Sequence, residues 1–187
     1  VEETGIAQHY RDARITTIYE GTTGIQALDL VGRKLIRDMG ATATAVIGEM
    51  QSFADSIARD DPHLTGIGES FGKAVATLAE VSQWIGMNAM SDLHKAFACS
   101  VPYLRLWGVV AAGRQMARAA QIASERLGAG SADEDFYRAK LATAKFYSTH
   151  VLSQSAWLKR QILDGSGDVM TLSEEGFDLD RRAAVPA

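Results

Sequence analysis

Along most of the chain the apolar residues return every three or four positions, and no stretch of useful length alternates as a half-buried strand would. Ile25, Leu28, Val31 and Leu35 predict a helix over about residues 24–38 that stops at Gly40. Val46, Met50, Phe53 and Ile57 predict a second over about 42–59, ending before Asp60-Asp61-Pro62. Ile67, Phe71, Val75, Leu78, Ile85, Leu93 and Phe97 share one period over about 66–98. Ser100 and Pro102 mark a new start, because proline is tolerated in a first helical turn. That helix should run to about 127 and end at Gly128-Ala129-Gly130. Ser131, Asp133 and Glu134 then open a helix reaching about residue 163, closed by Gly165-Ser166-Gly167.

Long helices with short joins predict an all-α fold, an up-and-down antiparallel bundle over residues 41–165. Residues 1–40 read as a separate, shorter-patterned unit, with the boundary near Gly40. In that unit Thr4 should cap a short helix over about 5–13, and the β-branched and aromatic run Ile15–Tyr19 suggests an extended or turn segment. Residues 166–187 are polar and glycine-broken, a docked loop or tail.

Composition narrows the function. Net charge is −4 and the basic residues are scattered, which argues against a nucleic-acid partner. The single cysteine, Cys99, lies in an apolar stretch; it reads as a buried free thiol and suits a reducing compartment such as the cytoplasm. His9, His63, His94 and His150 share no ligand spacing, so no metal site is expected. Trp84, Trp107, Trp157, Met87, Met90 and Met116 read as core or interface filling. The first residue is Val1 with no targeting pattern, and the opening residues read as the middle of a longer protein.

One segment offers chemistry. Glu20 precedes Gly21-Thr22-Thr23-Gly24, a glycine followed by a helix start. An acid there is commonly a surface residue that complements the helix dipole. Three features favour a site instead. Ile18 and Tyr19 flank Glu20 with apolar surface that would raise its pKa. Gly21 lets a ligand approach the backbone, and the helix start presents free N–H groups.

The run Gln8-His9-Tyr10-Arg11-Asp12-Ala13-Arg14-Ile15, then Ile18-Tyr19-Glu20-Gly21-Thr22 and Gly24-Ile25-Gln26-Ala27-Leu28-Asp29-Leu30-Val31, closely resembles the acyl-CoA dehydrogenase family. The match covers about residues 2–38, and the helical remainder resembles the extra C-terminal region of that family's larger members. The resemblance implies a flavoenzyme that oxidises an acyl-CoA thioester to the trans-2-enoyl-CoA. Glu20 would then be the catalytic base that removes the α-proton while a hydride leaves the β-carbon for FAD. Tyr19 and Gly21 match positions beside the acyl thioester, and Thr22, Thr23 and Gly24 match the stretch contacting FAD. The backbone N–H of Glu20 matches a hydrogen-bond donor to the thioester oxygen, the second donor being a ribityl hydroxyl of the flavin. Gly24 stands where many relatives have Glu or Gln, and Thr23 where close relatives have Asn. Arg11, Asp12 and Arg14 also match, and ion pairs ordering the turn are their expected role.

An electron-transferring flavoprotein, a second copy in a homodimer and an acyl-CoA substrate are the partners the resemblance implies. Without the rest of the flavin site, the chain alone should neither hold FAD firmly nor turn over substrate. Two other readings fit the same residues. One is an interaction module that caps a dimer or docks on a membrane, although Arg105, Arg114, Arg118 and Arg126 are sparse for a membrane face. The other is an acyl-CoA oxidase with a matching carboxylate and flavin.

Overall fold

The computed structural model describes Glu3 and residues 5–177. The described residues form helices and turns with no strand. In chain order these are α1 (Ile6–Tyr19), α2 (Thr23–Asp29), which continues as a π-helical segment over Leu30–Ile36, and α3 (Ala41–Ser56). Next come α4 (Thr65–Ser91), the short α5 (Leu93–Ala98) and α6 (Ser100–Gly128). The last are α7 (Glu134–Phe146), a second π-helical segment over Tyr147–Val151, and α8 (Gln154–Gly165). Two 3₁₀ turns follow, at Asp168–Met170 and Glu174–Phe177.

At 1.5 Å per residue α4 and α6 are each about 40 Å long, and they form the axis of the bundle. α3 packs on α4, α7 and α8 pack on α6, and α8 also lies against α4. The predicted periodicity points inward: Phe71, Leu78 and Ile85 of α4 meet Tyr103, Leu106 and Val110 of α6 and Leu158 and Ile162 of α8 in one core. A phenol in such a core needs a partner. The Tyr103 hydroxyl lies 2.8 Å from the Ser82 hydroxyl, which itself donates to the Leu78 carbonyl at 2.7 Å. With its one proton spent, Ser82 accepts from Tyr103.

Three helix boundaries differ from the periodic reading. The 66–98 helix breaks at Asp92, whose extended backbone (φ −147°) ends α4 while its carboxylate accepts the Lys95 N–H at 3.0 Å and caps α5. An apolar period cannot reveal this break, because the α5 residues Ala96 and, partly, Phe97 still face the core. The 131–163 helix is interrupted by its π segment, held to α6 where the Tyr147 hydroxyl donates to the Val109 carbonyl at 3.0 Å. α1 is the third correction: residues 15–19, expected to be extended or turn, are helical to Tyr19. The Thr16 and Thr17 hydroxyls donate to the Ala13 and Arg14 carbonyls, each at 2.8 Å, which satisfies these polar side chains inside a helix. The proposed cap Thr4 lies outside the described residues, and Gly5 (φ 71°) precedes the helix.

The stop at Gly40 is as expected. Met39 (φ 54°) and Gly40 (φ 79°) are both left-handed, and the Gly40 N–H donates to the Leu35 carbonyl at 2.8 Å. Asp38 ties the next helix on by accepting from the Gly40 and Thr42 N–H groups, each at 3.0 Å. Val31 and Leu35, just before this turn, belong to the same core as the bundle helices. Gly32 makes room there: a Cβ would stand 3.3 Å from the Phe97 ring.

Cys99 is a buried free thiol whose Sγ–H donates to the Ala96 carbonyl at 3.0 Å. Burial pushes it up to about 11, away from reactive thiolate. Of the expected filling residues, Trp84, Trp107 and Met116 pack against the core, whereas Trp157, Met87 and Met90 are exposed.

Candidate functional site

The Glu20 turn lies between α1 and α2. α1 buries no residue, so Ile6, Tyr10, Ile15, Ile18 and Tyr19 all present apolar surface outward. Helical spacing puts Ile6 and Tyr10 on one side and Ile15 and Tyr19 nearly opposite. These apolar side chains alternate with Arg11, Asp12 and Arg14 on the same helix. Near its C-terminal end Arg14 donates from Nη1 to the Thr17 hydroxyl at 3.0 Å.

At Glu20 the backbone becomes extended (ψ 161°), and α1 closes with the Glu20 N–H donating to the Thr16 carbonyl at 3.2 Å. The Glu20 side chain is exposed, beside exposed Ile18 and Tyr19. Two residues on, Thr22 caps α2: its hydroxyl accepts from the Ile25 N–H at 3.4 Å and its carbonyl from the Gln26 N–H at 3.0 Å. α2 therefore starts at Thr23, one residue earlier than the apolar period suggests. Thr23 and Gly24 sit in the first turn, where N–H groups have no acceptor within the helix.

Gly21 is under direct pressure. A Cβ there would stand 2.9 Å from Ile25 Cγ2 and 3.7 Å from Gln26 Nε2. Gly24 is under none, since its Cβ would meet only the Thr22 hydroxyl at 3.9 Å. The turn thus brings Tyr19, Glu20, Gly21, Thr22, Thr23 and Gly24 onto one exposed corner, with Ile25 folded back over Gly21. Ile25 and Gln26 were not singled out as site residues. Their place follows from being four and five residues beyond Gly21, a spacing that meets the preceding turn only once the helix start is fixed at Thr23.

The donor set suits an electron-rich, anionic ligand. It offers first-turn N–H groups, two threonine hydroxyls and a glycine without a side chain to block approach. Such donors can hold a phosphate or another anionic group, as a nucleotide cofactor carries. Among the described residues no group of three or more His, Cys, Asp or Glu is placed to hold a metal ion. None of the described helices is long and apolar enough to cross a membrane.

The family described as acetyl-CoA dehydrogenase C-terminal like matches residues 46–173, and the chain belongs to it. Among curated proteins it is 38% identical over 173 residues to the 3-methylmercaptopropionyl-CoA dehydrogenase of Ruegeria pomeroyi, covering 92% of this chain and 29% of the relative. It is 31% identical over 185 residues to the broad-specificity linear acyl-CoA dehydrogenase FadE5 of Mycobacterium tuberculosis, covering 95% of this chain and 30% of the relative. A butyryl-CoA dehydrogenase of Syntrophomonas wolfei is 27% identical over 186 residues, covering 95% of this chain and 29% of the relative. The chain thus spans about 30% of the length of the curated relatives it matches.

Proposed function

We propose that this chain is the C-terminal part of a flavin-dependent acyl-CoA dehydrogenase and that Glu20 is its catalytic base. The single observation that carries the reading is the Glu20–Gly24 turn, a carboxylate next to a glycine at a capped helix start. The relatives named as acyl-CoA dehydrogenases align across nearly the whole chain, which supports it.

In this reading Glu20 takes the proton from the carbon next to the thioester. The α-proton is weakly acidic, so the carboxylate must be desolvated and the growing charge on the thioester oxygen must meet hydrogen-bond donors. Exposed Ile18 and Tyr19, its neighbours in sequence, supply apolar surface beside Glu20. Tyr19 and Gly21 flank the thioester. Thr22, Thr23 and Gly24 hold the flavin by first-turn N–H and hydroxyl groups. A bound FAD supplies the acceptor for the hydride that leaves the β-carbon.

The partition at Gly40 is part of the proposal: residues 1–40 complete a catalytic domain, 41–165 form the added bundle and 166–187 a tail. So are a homodimer, an electron-transferring flavoprotein as acceptor, an acyl-CoA substrate and a cytoplasmic setting. The test is anaerobic addition of acyl-CoA to the full-length protein carrying FAD. Bleaching of the flavin absorbance with formation of 2-enoyl-CoA is expected; an unchanged spectrum with a panel of chain lengths would overturn the reading. Stoichiometric hydrogen peroxide in air would move the protein to the oxidases.

A further inference from the structure

Between residues 35–40, α3 and α4 the bundle leaves a groove of about 610 Å³. Pockets that hold small molecules usually measure about 300–1,000 Å³. Leu35, Ala43, Ile47 and Ala79 wall it, and no charged side chain lines it. The Ser82 hydroxyl on that wall already donates to the Leu78 carbonyl and accepts from Tyr103, so it demands no polar group of an occupant. We propose that this groove is a binding site for an unbranched aliphatic chain, the tail of a fatty acyl group or a fatty alcohol. The inference does not depend on the role of Glu20.

Three observations point to such an occupant. A charge buried without a partner is costly, so a wall with no charged side chain selects an uncharged chain. Met39, Met87 and Met90 also line the groove, and methionine is unbranched and adaptable, suited to packing along a flexible ligand. Met39 is fixed there by its backbone. Its φ of 54° is left-handed, uncommon for a side chain of that size, and Asp38 holds the turn by accepting from the Gly40 and Thr42 N–H groups. Gly86 is the third observation. It lies well inside the 27-residue α4, where glycine weakens a helix relative to alanine. No neighbouring atom would come within 4 Å of a Cβ there, so nothing in the bundle requires the missing side chain. A chain lying in the groove against the α4 backbone does require it.

The experiment titrates the full-length protein calorimetrically with octan-1-ol, decan-1-ol and dodecan-1-ol. Saturating but-2-enoyl-CoA is present throughout and keeps the alcohols from the proposed thioester site. Wild type should bind them, each added methylene tightening binding by about 3- to 4-fold. Gly86→Leu, which puts a side chain into the groove, should weaken decan-1-ol binding by roughly 10-fold or more. Its melting temperature should hold or rise, since leucine is the better helix former and its Cβ meets no neighbour. Gly108 of α6 is equally open but lies outside the groove, so Gly108→Leu should bind as wild type does. No binding by wild type, equal loss in both variants, or wild-type binding by Gly86→Leu would overturn the proposal. A Gly86→Leu protein that melts well below wild type, or that changes its oligomeric state, would overturn it too, by showing that another part of the longer protein or a second copy fills the groove.

Discussion

Ile25 lies directly over Gly21: its Cγ2 would be 2.9 Å, and its Cβ 3.1 Å, from any Cβ placed on that glycine. Isoleucine is stiff at χ1 and Ile25 is further tethered through its N–H to the Thr22 hydroxyl, so it cannot swing away cheaply. Gly21→Ala should shift the turn that carries Glu20. A displacement on the order of 1 Å costs about 100-fold in a catalytic geometry, so kcat/KM of the full-length enzyme should fall by roughly 10- to 100-fold. Adding Ile25→Ala to that variant should restore part of the loss. Steady-state kinetics of the two variants check this, and a double variant no better than Gly21→Ala would show that the contact does not set the turn.

A second close approach shapes the bundle. A Cβ on Gly113 of α6 would stand 2.7 Å from Leu152 Cδ2, where the π segment passes into α8. Gly113→Ala should destabilise the protein by about 1–3 kcal/mol through overpacking. The smaller side chain of Leu152→Ala, combined with it, should lose less than the two single changes predict together. Urea denaturation midpoints at constant slope measure both effects.

Stability should decline on the alkaline side. Burial lifts the Cys99 thiol from 9.0 to about 11, and burial also raises the Tyr103 phenol. The folded state holds these protons more tightly than the unfolded chain does. Their contribution is therefore fully present below about pH 9 and is lost as pH rises towards 11. Denaturation midpoints between pH 8 and 10.5 should fall in the wild type and fall less steeply in Cys99→Ala. Native Cys99 should also react with a disulfide reagent at pH 8 far more slowly than the same thiol in urea.

The bundle was legible because burial and periodicity coincide: Phe71, Val75, Leu78 and Ile85 are spaced for one face of α4, and all four are buried. Gly40 and Gly128-Ala129-Gly130 stop helices where sequence places them, through left-handed backbone at Gly40 and Gly130. What escaped was local. The break at Asp92 goes with one side chain capping the next helix, and the π segments carry the close approach of Phe97 to Gly32 and the bond from Tyr147 to Val109, contacts between residues far apart in sequence. The Ile15–Tyr19 run has strand-like residues yet forms helix, because β-branching weakens a helix without forbidding it. The candidate site was legible as a motif, whereas Ile25 over Gly21 and the engagement of the Glu20 N–H required coordinates.

The most direct measurement is exchange of the α-hydrogen. In the full-length protein with FAD, wild type should wash deuterium from solvent into the α-position of a bound acyl-CoA and turn it over. Glu20→Gln should keep FAD at wild-type occupancy while exchange and turnover drop by about 100- to 10,000-fold, the span of general-base catalysis. Exchange and turnover within a factor of a few of wild type in that variant would contradict the account.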